Sequence, residues 1–273
     1  MAVIAISQQI GSRGLELGRR VAEELAYHFM SGDDLYAATS QRYSVTPEQL
    51  LILDERTPHF WERAKTDTQS FAAYYRATVL TEFARGNLVA VGRAVAHVLP
   101  QVGCGLRVRV VAPFESRVNL VALEEKLAPA AAERRVLHYD REVRARVQSI
   151  SNIDIEDASL YDLVINTANQ PLEFLATTLT TLARKIDGCA DSGQWQEIRD
   201  AAITQQVRAA LLAHPKIRDA EIIVSCTCGA VRMSGPGLVP PWDELVDGVA
   251  RQIEGVASVN VAADEPPMPL RSG

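Results

Sequence analysis

The sequence predicts an α/β protein built on a largely parallel sheet flanked by helices, followed by a small α+β module. Three observations point there. Short apolar runs alternate with long helical patterns over residues 1–186, and buried strands of that kind belong to parallel sheets with helices on both faces. A glycine-bearing turn separates the first apolar run from the first helix, which is how a nucleotide-binding α/β unit opens. After a small, polar stretch at 187–193 the pattern changes to helix, strand, strand, helix, strand within a short span, a compact α+β order.

The elements follow in sequence. VIAIS (3–7) reads as the first strand. Leu17, Val21, Leu25 and Phe29 recur at four-residue steps and predict an amphipathic helix over 17–29. Thr46-Pro47-Glu48 has the form of an N-cap followed by proline at the first helical position. A long helix is expected over 60–85, ended by Gly86-Asn87. LVAVG (88–92), LRVRVVA (106–112) and YDLVINT (161–167) are further strands, with helices over 114–127, 130–149 and 172–186. A linker at 188–196 divides the chain into units 1–187 and 197–263. In the second unit, helices over 198–212 and 243–253 accompany strands at 220–226, 230–235 and 258–263, and the tail 264–273 is expected to be disordered.

Composition narrows the function classes. The 273 residues carry a net charge of −6, which argues against a general nucleic-acid binder, since such proteins present basic surfaces. A hydrophobic fraction of 47% excludes a wholly disordered chain. No apolar run is long enough to span a bilayer, and the N-terminus lacks the basic start of a signal peptide, so a cytoplasmic protein without a transmembrane segment is expected. Four cysteines are too sparse for a disulfide scaffold, and buried or half-buried thiols are expected. Cys226-Thr227-Cys228 lacks the second pair of a zinc site, and on a strand its two thiols would share a face. The five histidines share no metal-ligand spacing, so no metal site is assigned. Lys65, Lys126, Lys185 and Lys216 are the only lysines among 28 basic residues. Lysine-dependent chemistry has four candidates.

Gly11-Ser12-Arg13-Gly14 lies where a phosphate-binding loop would sit. Backbone N–H groups and the helix dipole there would hold an anion, although any strand-to-helix turn also uses glycine. The Walker pattern fails: counted from Gly11, its second glycine and lysine positions hold Glu16 and Leu17. The local cations are Arg13, Arg19 and Arg20.

AISQQIGSRGLELGRRVAEEL, LVAVGRAVAHVLP (88–100), VRVVAPFESRV (108–118), Asp140-Arg141-Glu142-Val143-Arg144 and YDLVINT together resemble, in order, the motifs of the cytidylate-kinase-like proteins. The resemblance covers about residues 1–186 and implies a P-loop kinase fold. It further implies nucleotide binding, ATP and Mg2+ as cofactors, and phosphoryl transfer to a nucleoside monophosphate, cytidylate-like in kind. By position it implies that Gly11, Ser12, Arg13 and Gly14 hold donor phosphates and that Arg93 grips the acceptor monophosphate. Arg13, Arg141 and Arg144 would be catalytic cations, with Asp140 orienting the two in the lid. Other readings stand beside these. Asp140 and Arg144 are four apart, the spacing of a surface ion pair on a helix. Arg93 would also suit a helix N-terminus paired to a sheet-edge carboxylate. Asp34, next to Asp33, would contact a ribose or cap a helix. Two departures bear on turnover: the family's aspartate after the glycine-arginine pair is Ala94, and an arginine common in its turn is Leu15. The alternative to a kinase is a catalytically inactive nucleotide sensor.

Over 197–263, helix, two strands, helix and strand, with Gly255-Val256-Ala257-Ser258-Val259 before the last strand, resemble a BON domain. That implies a regulatory or partner-binding module contacting a protein, a small ligand or a second copy in a homo-oligomer. Residues 195–263 hold six basic and eight acidic residues, which argues against anionic lipid.

Overall fold

The computed structural model describes residues 1–46, 63–151, 153–218 and 220–263. Its first unit is a five-stranded sheet in the order β2-β3-β1-β4-β5, with every pair parallel. The strands are β1 (Val3–Gln8), β2 (His28–Ser31), β3 (Leu88–Val91), β4 (Gly105–Val111) and β5 (Leu163–Asn166). Between them run α1 (Gly14–Leu25), α2 (Gly32–Tyr43), α3 (Arg63–Arg85), α4 (Phe114–Glu124) and α5 (Pro129–Ser151). Helix α6 (Leu172–Cys189) follows β5. Alternation along β1 builds two cores. Val3 and Ala5 pack with Val79 and Phe83 of α3, whereas Ile4 and Ile6 pack with Leu17 and Val21 of α1 and Leu179 of α6.

Helix α1 stops earlier than the four-residue repeat predicts. Ala26 turns left-handed (φ 54°) and ends it, so Phe29 belongs to β2. Phe29 nevertheless packs in the same cluster as Leu17 and Val21; strand and helix deliver side chains to one core, and the repeat ran through the break. Residues 47, 48 and 60–62, on which the second helix start and the beginning of the long helix were read, lie outside the described residues, as does the tail 264–273.

The second unit comprises α7 (Ser192–Ala213), β6 (Ile223–Thr227), β7 (Ala230–Gly235), α8 (Trp242–Arg251) and β8 (Ser258–Ala263). β7 is central, antiparallel to β6 and parallel to β8. The stretch 188–196, read as a linker, is helical except at Ala190 and Asp191. Asp191 caps α7 by accepting the Gln194 N–H at 2.9 Å, so its small polar residues start a helix. Cys228 does not share a strand face with Cys226, because β6 ends at Thr227 and Cys228 (φ 48°) with Gly229 (φ 77°) forms the hairpin turn. Cys104 is buried and Cys226 half-buried, but Cys189 and Cys228 are exposed, contrary to the expectation for all four. Both lie where a chain turns or ends, not on an inward face.

Helix α7 serves both units. Trp195, Ile198 and Ala202 enter the core beneath the large sheet, while Ile203, Val207 and Leu211 enter the small core with Met233 and Val246. Gln206 Nε2 donates to Thr81 Oγ1 of α3 at 2.8 Å. Asp200 accepts the hairpin N–H groups of Cys228 (2.7 Å) and Gly229 (3.0 Å). Burial works against the charged form, yet these N–H groups and Gln196 keep its carboxyl below the usual range. Among the described residues no helix is long and apolar enough to cross a membrane.

Candidate functional site

The C-terminal ends of β1, β3 and β4 meet at one edge of the large sheet, where open α/β sheets bind ligands. From β1 the chain turns through Gln9 to Arg13 into α1. Gln9 N–H donates to Val110 O (3.1 Å), and the Ser12 N–H and Oγ both donate to Gln9 O (3.2 and 2.7 Å). Thr167 Oγ1 donates to Ser12 O at 2.8 Å, which ties the turn to the end of β5. Gly11 adopts φ 71°, and a Cβ there would stand 2.6 Å from Arg117 O, so only glycine lets α4 approach this closely. The first-turn N–H groups of α1 have no intrahelical acceptors and face outward from the helix start. Arg13 is itself left-handed (φ 60°), and its Nε and Nη2 form a fork on Glu16, each at 2.9 Å. That bonding to Glu16 raises the Arg13 pKa against the opposing effect of burial. The turn therefore presents backbone donors, with Ser12 Oγ turned inward and the Arg13 guanidinium directed to Glu16.

After β3, Gly92, Arg93 and Ala94 take φ of 96°, 50° and 58° in succession. Two consecutive non-glycine residues in that region store strain, and strain of this kind gathers at functional sites. Arg93 Nη2 donates to Asp33 Oδ1 at 3.2 Å, its guanidinium lies 4.6 Å from the Tyr36 ring centroid, and its carbonyl accepts from Tyr75 OH at 3.0 Å. Gly32 leaves the space for it, since a Cβ there would overlap Arg93 Cγ. Asp34 is occupied differently: its Oδ2 accepts from Ser31 N (2.8 Å) and Ser31 Oγ (2.7 Å), a capping box at the start of α2. The Ser31 hydroxyl and N–H hold the Asp34 carboxyl below the usual range.

Helix α5 closes the cleft. Tyr139, Val143 and Val147, one face of the helix, pack over Ser7, Gln8, Gly92, Arg93, Ala94 and Ile155 and leave about 20 Å³, room for roughly one water. On the adjoining face Arg141 and Arg144 line an open depression of about 400 Å³ with Ala145, Gln148 and Asp154. Arg141 Nε donates to Leu137 O at 3.2 Å. Asp140 pairs with neither of these arginines. It accepts both Nη1 (3.0 Å) and Nη2 (2.9 Å) of buried Arg117 on α4. The i,i+4 spacing to Arg144 loses to Arg117 because a bidentate guanidinium beneath the helix satisfies both carboxylate oxygens.

Sequence reasoning passed over a second group beneath the cleft. Arg109 of β4, beside Ser7 of β1 in register, donates from Nη1 to Ser7 Oγ (2.9 Å) and from Nη2 to Glu156 Oε1 (3.0 Å). Tyr161 OH donates to Ile155 O (2.9 Å) and lies 3.1 Å from His97 Nε2. Burial, with Arg109 and Arg107 adding repulsion, pushes the His97 pKa down to about 4. One signal was visible: Arg107 and Arg109 alternate within an otherwise apolar strand. Arg107 pairs with Asp162 at 2.8 Å, but the use of Arg109 depends on residues far along the chain.

The sheet order, the glycine turn opening α1 and the arginines above it define a P-loop kinase-like protein. The profile of the cytidylate kinase-like family matches residues 3–169, and the chain belongs to that family. It is 24% identical over 173 residues to a cytidylate kinase of Staphylothermus marinus, covering 63% of this chain and 91% of the relative. A cytidylate kinase of Pyrobaculum arsenaticum is 28% identical over 169 residues, covering 62% of this chain and 85% of its own. A crystal structure of an uncharacterized protein from Eubacterium ventriosum superposes with a TM-score of 0.52 at 13% identity, covering 67% of this chain and 99% of that one. The family match ends before α6.

Proposed function

We propose that this chain is a nucleoside monophosphate kinase, cytidylate-like in its acceptor, working in the cytoplasm. The observation that carries the reading is the turn at Gly11–Gly14, whose outward first-turn amides at the head of α1 suit the phosphates of ATP. Arg93, bound to Asp33 and Tyr36, is the acceptor-phosphate ligand. Arg141 and Arg144 close over the transferring group when α5, having lifted to admit nucleotide, settles back over the cleft. Phosphoryl transfer requires placement and cationic stabilisation rather than covalent help, and planar guanidinia suit phosphate oxygens. The donor set fits ATP phosphates. It offers a metal less: Ser12 Oγ is bonded to Gln9 O and Glu16 to Arg13, and among the described residues no group of three acidic, His or Cys side chains is placed to hold an ion. Mg2+, which lends phosphates charge neutralisation when bound, would be held mainly by phosphate oxygens and water.

The C-terminal unit, with its α-β-β-α-β order and Gly255 at φ 90° before β8, we read as a BON-like module that binds a protein or ligand partner or a second copy. A second reading, a nucleotide sensor without turnover, is favoured by the Arg13–Glu16 fork, which holds the nearest cation away from the turn. Calorimetry with ATP and with CMP, with and without Mg2+, tests both. Binding of each is expected; no heat with either removes both readings.

A further inference from the structure

Arg109 is a buried charged side chain whose guanidinium is only partly satisfied by its neighbours. It stands in a central strand with 4% of its side chain exposed, and its Nε is buried without a partner among the described residues. Replacing a whole buried ion pair by apolar residues is commonly neutral or stabilising, so stability alone does not account for an Arg109–Glu156 pair at this place. Its two bonded partners point to another use. Ser7 lines the cleft at the end of β1. Glu156 Oε1, 3.0 Å from Arg109 Nη2, also lies 3.8 Å from Arg144 Nη2 of α5. One carboxylate oxygen thus stands between a cation of the sheet and a cation of the covering helix. Two guanidinia sharing one anionic oxygen is the arrangement phosphate takes between arginines. The Glu156 side chain is 40% exposed, whereas the backbone beside it is held: Glu156 N–H donates to Asp154 Oδ1 (3.0 Å) and Ile155 O accepts from Tyr161 OH. The carboxylate can swing out without moving its strand of chain.

We propose that Arg109 is an anion-binding residue of this site and that Glu156 is its internal counter-anion, standing where a phosphate group binds. An incoming phosphate displaces Glu156, pairs with Arg109 from below and Arg144 from above, and draws α5 into register with the sheet. No covalent bond changes; one ion pair is exchanged for another. The charge missing from the lysine-free turn comes in part from β4. The site's phosphate chemistry stands independently of turnover, and only the identity of the phosphate as a nucleotide's rests on the function proposed above.

The test is calorimetry of the full chain with inorganic pyrophosphate, using wild type, E156Q, R109K and the double variant, each checked for fold by circular dichroism. E156Q removes the competing anion and is expected to bind about tenfold more tightly. In the R109K background the same change is expected to give less than about a threefold gain, because the fork that receives the phosphate is gone. No tightening in E156Q, equal tightening in both backgrounds, or no pyrophosphate binding by any form overturns the proposal. If R109K does not fold, E156Q alone decides by the same sign. Because pyrophosphate needs neither acceptor nor transfer, these results stand whether or not ATP and CMP are turned over.

Discussion

Arg93 is held by three different kinds of contact: an ion pair to Asp33, a ring face on Tyr36, and a strained backbone clamped by Tyr75. Such support fixes a side chain for one task, so Arg93→Ala is expected to weaken CMP binding at least tenfold while changing ATP binding less than about twofold, measured by calorimetry. Equal losses would place Arg93 outside the acceptor subsite. His97 supplies a different test. With its pKa pushed down to about 4 from 6.5, the folded state resists a proton that the unfolded chain accepts. Its contribution is present above pH 6.5 and is lost as pH falls from there toward 4, up to about 3 kcal/mol. Urea midpoints at pH 7 and pH 5 measure it, and His97→Gln should flatten the difference. A slope left unchanged by the substitution would mean that His97 takes up its proton equally in the folded and the unfolded chain. Legibility at this scale followed sequence proximity. The turn at Gly11–Gly14 and Arg93 stood beside glycines at strand ends and could be singled out. Arg109 and Glu156 are 47 residues apart, and nothing local in either announces the pair. Asp140 was assigned to arginines on its own helix, whereas the fold gave it Arg117 from the helix before.

Helix α7 is the element on which the two units depend. Its first half lies in the large core and its second in the small one, so neither unit ends at the polar stretch that precedes it. Trp195→Ala, at a side chain 7% exposed, is expected to destabilise the protein by about 3–5 kcal/mol, read as a fall in the denaturation midpoint of the large unit. A chain truncated after 190 loses Trp195, Ile198 and Ala202 together and should show lost near-ultraviolet dichroism. A native-like spectrum would restore an independent first unit. Strand positions were readable because buried parallel strands are short and wholly apolar. Helix ends were not: the repeat of Leu17 to Phe29 crossed a left-handed Ala26, and residues 191–193, polar and small enough for a linker, began a helix instead. Periodicity reports which face is buried and says little about where the hydrogen-bond ladder stops.

At the scale of the whole molecule, α5 covers the cleft with Tyr139, Val143 and Val147, while its Arg141 and Arg144 line the open depression beside it. On the function proposed above, nucleotide entry is expected to lift α5 and to reclose it with Arg141 and Arg144 over the phosphates, a motion of the kind that gates many kinases. The small unit is joined to the Arg93 side of the cleft through α7 and α3, the helix whose Tyr75 holds Arg93. Around the cleft the described cations are guanidinia, Arg93, Arg109, Arg117, Arg141 and Arg144 among them. The most direct measurement is ADP release coupled to a chromogenic readout, with ATP, Mg2+ and CMP together and with each omitted in turn. A kinase that works with arginines in place of the loop lysine releases ADP only when all three are present, and Arg93→Ala lowers that rate. Tight nucleotide binding with no CMP-dependent ADP release would contradict it and leave a sensor.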